Sequence, residues 1–269
     1  MNRFATRELS MLVALVAIWA FFAWQEPVFL SARNLSLLSV ELAITAVLAL
    51  GMLVVLLPGQ IDLSAGSGVG LAGAVAAVLV FWHDVPAPIA LLIATLGAVL
   101  VWSTGGAQVA APRISAFIMC RRRLQVYRGL HWLVLENQTV PVVVGGSQNV
   151  YSLLTTYYLP EVAGYVLAGL AVAAIVATAL VARKRRQSYG FPVDDGEITF
   201  LKLFALAQLV FLVVIVTNGY RGVPIALVIL GLVAVLVHQL VTNTPFGRYL
   251  YAIGGNEEAA VVSGVPVRN

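Results

Sequence analysis

The chain has 269 residues, of which 61% are hydrophobic and 10% charged, with a net charge of +4. A water-soluble domain carries about 25% charged residues, so a mean hydropathy of +0.95 excludes a chain that folds in water around a single core. The basic excess is almost all arginine, Lys184 and Lys202 being the only lysines; it sits in short loops without forming a basic face, which argues against nucleic acid as a partner.

A helix that crosses a bilayer needs about 20 mostly apolar residues. Seven runs have that character: Leu9–Leu30, Ser36–Leu57, Leu63–Trp82, Val85–Ser103, Val162–Ala182, Thr199–Thr217 and Gly222–Val241. They are continuously apolar, whereas barrel strands alternate every second residue. The expected fold is therefore all-α, a polytopic transmembrane bundle of about eight spans in one domain covering 1–269. The first run is followed by Trp24, Gln25, Glu26 and Pro27 and not by a small-residue cleavage site, so it reads as an uncleaved span. Trp19, Trp24, Trp82 and Trp132 lie near span ends and suit interfacial belts. Cys120 is the only cysteine, which leaves no internal disulfide and no thiolate metal cluster.

Arginine sets the orientation. With Arg3 and Arg7 in the cytoplasm, four spans return the chain inside near Ser103. The densest basic cluster, Arg183-Lys184-Arg185-Arg186, belongs inside as well. Parity then requires a crossing between Ser103 and Val162, and it falls on Ser115–Leu135, which carries Arg121, Arg122, Arg123 and Arg128. An arginine at a span centre costs roughly 2.5–3.5 kcal/mol, so the triplet alone costs about 9. Residues after Thr242, including Arg248 and Arg268, fall in the cytoplasm, and Glu136–Pro160 forms an external polar loop.

Two segments carry mechanism. Pro58-Gly59 breaks the second span, and Asp62, Ser64, Gly66 and Ser67 open the third. Intramembrane acids are functional by default, yet Asp62 and Ser64 also have the chemistry of a helix N-cap; both roles stand open. Gly66, Gly70 and Ala74, with Gly73 and Ala77 beside them, predict close helix packing. Glu41, Gln208, His238 and Gln239 are the other intramembrane polar groups, and the last two suit a bond to a neighbouring helix or a contact with substrate.

The second segment follows the last span. Asn256 can cap a short helix opened by Glu257 and Glu258, with Ala259 and Ala260 as a small face and Gly264 as its end. No metalloprotease, nucleophile-elbow, metal-ligand or nucleotide-binding pattern occurs, so the chain reads as no enzyme, with no cofactor of its own and no metal site.

Glu258-Ala259-Ala260 with Gly264 resembles the E-A-A-x-x-x-G loop of ATP-binding-cassette importer permeases. Thr244-Pro245-Phe246-Gly247-Arg248 and Ala252-Ile253-Gly254-Gly255-Asn256 resemble the version in monosaccharide permeases of the ribose and xylose type. Gly59–Ser67 resembles that family's G-G-I-D-L-S-V-G-S segment, with Gln60 and Ala65 as departures, and Arg183–Pro192 leans toward the xylose branch. The resemblance implies an inner-membrane, multi-pass permease subunit working by alternating access. Its implied partners are a cytoplasmic ATPase that hydrolyses ATP, a periplasmic sugar-binding protein, a second permease copy, the bilayer and a monosaccharide. It assigns ATPase coupling to Gly247, Arg248, Gly254, Gly255, Asn256, Glu257, Glu258, Ala259, Ala260 and Gly264. It assigns the translocation core to Gly59, Asp62, Ser64, Gly66 and Ser67. An ion-coupled secondary transporter using Asp62 or Glu41 is the alternative.

The chain departs from the family in two places. Family members continue past the loop into further spans, so the resemblance implies a C-terminally truncated chain that transports nothing in any case, because spans that complete the pathway are absent. The family also has an apolar span where Arg121–Arg123 stands; Ile114–Ile118 and Tyr127–Leu130 match it, while the stretch between and just before them, within 104–127, is anomalous, as two compensating frameshifts would leave it.

Overall fold

A computed structural model describes residues 3–110, 116–141 and 148–267. Every apolar run forms a helix, because a helix satisfies its own backbone groups without water. In chain order these are α1 (Arg3–Gln25), α2 (Ala32–Leu56), α3 (Ala65–Phe81), α4 (Ala87–Ala110) and α5 (Ala116–Leu135). After α6 (Val150–Thr156) come α7 (Glu161–Ser188), α8 (Gly196–Asn218), α9 (Ile225–Asn243), α10 (Pro245–Gly255) and α11 (Glu257–Val262). A two-residue antiparallel ladder pairs β1 (Tyr158–Leu159) with β2 (Val223–Pro224), so the seventh expected run loses its first residues to a strand.

By length and composition, α2, α7, α8, α9 and Ala87–Gly106 of α4 can cross a membrane. Two expected spans are shorter: the apolar part of α1 is Leu9–Gln25, and α3 has 17 residues. At 1.5 Å per residue α3 is about 26 Å long, slightly under a hydrocarbon core of about 30 Å. The segment where parity demands a crossing forms a helix of 20 residues, α5, but it is not among the helices apolar enough to cross a membrane. Its four arginines keep it out of the apolar set. Ile114 and Ser115, the rest of 111–115, and Arg268 lie outside the described residues.

The chain divides into two compact units. One holds 1–41 and 158–224. There α7 packs on α8, and Gly164 lies against Val214, Asn218 and Val223. After α1 the chain doubles back so that Phe29 meets Trp19 and Phe22, with ring centroids 5.8 and 5.7 Å away. At the end of α7, Lys184, Arg185 and Arg186 are exposed, and the two arginines complement the helix dipole. Lys202 of α8 pairs with Asp194 at 2.5 Å, and this hydrogen bond and charge hold the Asp194 carboxyl below its ordinary range.

The other unit holds 42–157 and 225–269, with α3 packed on α4 and α5. The buried small residues of α3 are Gly68, Ala74, Ala76 and Ala77. The expected stripe is thus met at Ala74 and Ala77, while Gly66 is exposed with open space around it and Gly70 meets only His131, at 3.8 Å. The reason is Trp102 of α4: its ring lies on Gly68 and packs on Tyr127 of α5, 5.5 Å between centroids, which turns the contact face of α3 toward Gly68. In both units large apolar side chains point outward, Val162 at 74% exposure in one and Leu232 at 61% in the other among them, as a surface made for lipid would.

Candidate functional site

The break between α2 and α3 is a hydrogen-bonded turn. Gly59 adopts φ +80° after Pro58. Asp62 Oδ1 accepts the Ser64 backbone N–H at 2.8 Å and the Ser64 hydroxyl at 2.5 Å, and the Ser67 hydroxyl donates to the Ser64 carbonyl at 2.8 Å. Ser64 is completely buried. It occupies the N-cap position of α3, but with φ −84° and ψ −11° its side chain makes no capping bond. A capping side chain needs an extended backbone to reach the first turn. The expected cap at Ser64 is therefore replaced by an Asx-type turn that Asp62 closes around it.

Asp62 also lines a cavity of about 590 Å³. One wall is α2 from Ala43 to Val55, about 18 Å of helix. The others come from Ala65, Val69 and Trp102, from Leu154 and Thr155 of α6, and from Ala226 and Ile229 of α9. Among the described lining residues, Asp62 and Thr155 contribute the only side-chain oxygens, so a polar solute entering the cavity would find its partners there.

The sequence reading missed α6, which lies inside the stretch expected as an external polar loop. It packs against α4 and α9, and the Tyr151 hydroxyl donates to the Gly73 carbonyl of α3 at 3.2 Å. The available signal was Asn149 followed three residues later by Ser152. They form a reciprocal capping box, with Ser152 N–H on Asn149 Oδ1 at 2.9 Å and Asn149 N–H on Ser152 Oγ at 3.1 Å. His238 and Gln239 do not bond a neighbouring helix among the described contacts. The His238 carbonyl accepts from Thr242 at 2.6 Å and the Gln239 side chain from Asn243, all within α9. Glu41 and Gln208 are exposed on α2 and α8.

The terminal loop folds as its sequence dictates. Thr244 caps α10 by accepting from Gly247 N–H at 3.2 Å, with Pro245 at the first helical position. Asn256, extended at φ −162°, accepts from Ala259 N–H at 2.9 Å and caps α11. At the other end Gly264 takes φ +82°, its N–H reaching Val261 and that of Val265 reaching Ala260, both at 3.0 Å. This pair of bonds is a Schellman ending, which a glycine adopts without a side-chain clash. Ala260 is buried, while Glu257, Glu258, Ala259, Val261 and Val262 are exposed. The six-residue α11 thus presents acidic and apolar groups on one rigid turn. Arg248 and Gly255 are exposed on α10.

The two segments touch. Gly254 of α10 lies on the Leu57 carbonyl and beside Pro58, so that a β-carbon there would overlap that oxygen and come within 3.3 Å of Pro58 Cα. Gly247 is likewise pressed on the Val241 backbone at the end of α9. The start of the helix break and the terminal loop therefore share one end of this unit.

Among the described residues, no three His, Cys, Asp or Glu side chains gather as a metal site. Residues 34–269 match the family model described as the permease component of branched-chain amino acid transport systems. The xylose transport system permease protein XylH of Escherichia coli (strain K12) is 34% identical over 258 residues, covering 96% of this chain and 65% of the relative. The XylH protein of Haemophilus influenzae is 36% identical over 259 residues, covering 96% and 68%. The ribose import permease protein RbsC of Haemophilus influenzae is 26% identical over 272 residues, covering 99% and 63%. The chain thus spans roughly two thirds of the length of these relatives. No solved structure matches it. A polytopic helical bundle with spans of bilayer length, matched over residues 34–269, the chain belongs to this family of transport permease components.

Proposed function

We propose that this protein is the membrane-embedded permease subunit of an ATP-driven importer of xylose or a related monosaccharide. The observation that carries this is the α10–α11 loop, which has a side-chain cap at each helix start, a glycine stop, exposed Glu257 and Glu258, and a seat against the helix break. A chain with no nucleotide-binding loop must receive ATP energy through a protein contact, and this loop offers a fixed face for one. The relatives named for xylose and ribose support the substrate class.

In this reading the permease is not itself an enzyme and holds no cofactor. It sits in the inner membrane with its N-terminus, the Arg183–Arg186 cluster and the α10–α11 loop in the cytoplasm. A cytoplasmic ATPase docks on α11, a periplasmic binding protein delivers sugar, and two permease copies enclose the path. Asp62, held by Ser64 beside the cavity, offers a carboxylate oxygen to sugar hydroxyls. The Gly254–Leu57 contact supports the topology, because the scheme puts the end of the second span and the loop after the last one on the same side.

The alternative is an ion-coupled carrier with Asp62 as its ion site. Sugar uptake by cells expressing the chain extended to the length of its relatives, with its ATPase and binding protein, separates the two. Uptake stopped by ATP depletion and indifferent to a protonophore fits the proposal. Uptake that survives ATP depletion and collapses with the ion gradient rejects it.

A further inference from the structure

Gly254 belongs to the segment that the family resemblance assigns to ATPase docking, and although it is exposed, the side-chain direction at its α-carbon points at the end of α2. The space a side chain would fill is occupied by the Leu57 carbonyl and Pro58. Gly255, its neighbour, meets nothing within 4 Å. Leu57 ends the helical hydrogen bonding of α2, its N–H bonded to the Leu53 carbonyl at 3.0 Å, and the Gly59 N–H returns to Leu56 at 2.9 Å. From there the turn runs directly to Asp62 and the cavity.

The other end of α10 is fixed in the same way. Gly247 lies on the Val241 backbone, and Thr244 ties to the Leu240 carbonyl at 2.5 Å while capping α10. Thus α10 is a short rigid bar, backbone against backbone at both ends. Such contacts hold no flexible side chain to absorb a displacement, and packed interiors shift between discrete arrangements instead of deforming smoothly.

We propose that Gly254 is a positioning residue: its contact with Leu57 carries movement of the α10–α11 loop to the Asp62 turn and so opens or closes the cavity. Asn256 and Glu258 receive the partner, whereas the face of Gly254 turned to Leu57 passes the motion inward. This rests on the reading of the chain as an ATPase-coupled permease.

The test uses the chain extended to the length of its relatives and assembled in proteoliposomes with its ATPase and sugar-binding protein. Gly254→Ala is compared with Gly231→Ala, a position on α9 with open space for the added carbon. With Gly254→Ala, ATPase co-purification should hold while sugar transported per ATP hydrolysed falls by about tenfold, within the range by which residues touching neither ligand modulate coupling. Gly231→Ala should leave that ratio unchanged. A Gly254→Ala protein that keeps the ratio overturns the proposal.

A second measurement stands if that variant fails to reach the membrane. In a Cys120→Ser background, Ile61→Cys places a thiol on an exposed position one residue before Asp62. Its labelling by a membrane-impermeant thiol reagent should change severalfold when the ATPase binds a non-hydrolysable ATP analogue. An unchanged labelling rate overturns the joint. If the ATPase fails to co-purify with the unmodified chain, the ATPase-coupled reading itself falls.

Discussion

Asn256 and Ser64 both stand at the N-cap of a helix, and only one of them caps it. Asn256 is extended, and its side chain takes the Ala259 N–H at 2.9 Å. Ser64 is in the right-handed helical region, makes no capping bond, and gives its hydroxyl to Asp62 at 2.5 Å. The same residue chemistry thus makes a stable helix start at the α10–α11 loop and a carboxylate-centred turn at the break. The loop needs a fixed outer face. The break keeps an acid beside a cavity, held by bonds that a small backbone rotation would release.

The largest effect on stability should follow removal of the acceptor at the break. Asp62→Ala strands the hydroxyl and N–H of the fully buried Ser64, which costs roughly 1–3 kcal/mol. Asp62→Asn keeps an acceptor and should cost less. Thermal inactivation in detergent ranks the pair, and equal losses would show that the Asp62–Ser64 bonds do not hold the turn. At the loop, Asn256→Ala should cost about 1 kcal/mol, the ordinary worth of a cap, and Asn256→Asp should retain most of it. A silent Asn256→Ala would contradict the cap at the α11 start, and a silent Asp62→Ala would contradict the turn at the break; losses at both sites sharpen the comparison.

The arginines of α5 test the sequence reading from another side. Arg121 and Arg122 are exposed in its second turn, and Arg123 is turned against Gly105 of α4. Replacing Arg121–Arg123 with leucine should improve insertion of the segment, by at most the roughly 9 kcal/mol of a central triplet. The gain should be smaller than that ceiling, since the triplet lies in the first half of α5, off its centre. An insertion assay showing no gain would mean that these arginines never meet hydrocarbon.

The smallest effect belongs to Lys202. Its hydrogen bond and charge lower the Asp194 carboxyl, so the pair contributes above the ordinary carboxylate range and that contribution is lost as pH falls through the lowered value. Lys202→Met should return the Asp194 carboxyl upward in a pH titration followed by NMR, with almost no change in stability, because both groups are exposed.

Spans were legible because a lipid-facing helix advertises itself through composition alone. Their ends were less so: α3 starts at Ala65 only because Asp62 and Ser64 spend their polar atoms on the turn before it. The α11 motif was legible residue by residue, since Asn256 and Gly264 act within a few positions of themselves. Short α6 was hidden because seven residues give too little periodicity to see, and its Asn149–Ser152 box lacks the usual Glu or Gln. The seat of Gly254 on Leu57 was beyond reach, for nothing in either local sequence points to the other.

The most direct test of an ATPase-coupled permease is co-purification of the ATPase with Glu258→Lys and Gly264→Val chains, each extended to the length of its relatives, at equal membrane level. Charge reversal on the exposed face of α11 should cut the ATPase recovered by about tenfold, as losing a rim or docking charge does. A β-branched residue at φ +82° should do the same through the geometry of the helix end. Sugar uptake should fall with both. If both chains hold the ATPase and import sugar like the unmodified protein, α11 is not where this protein receives its energy.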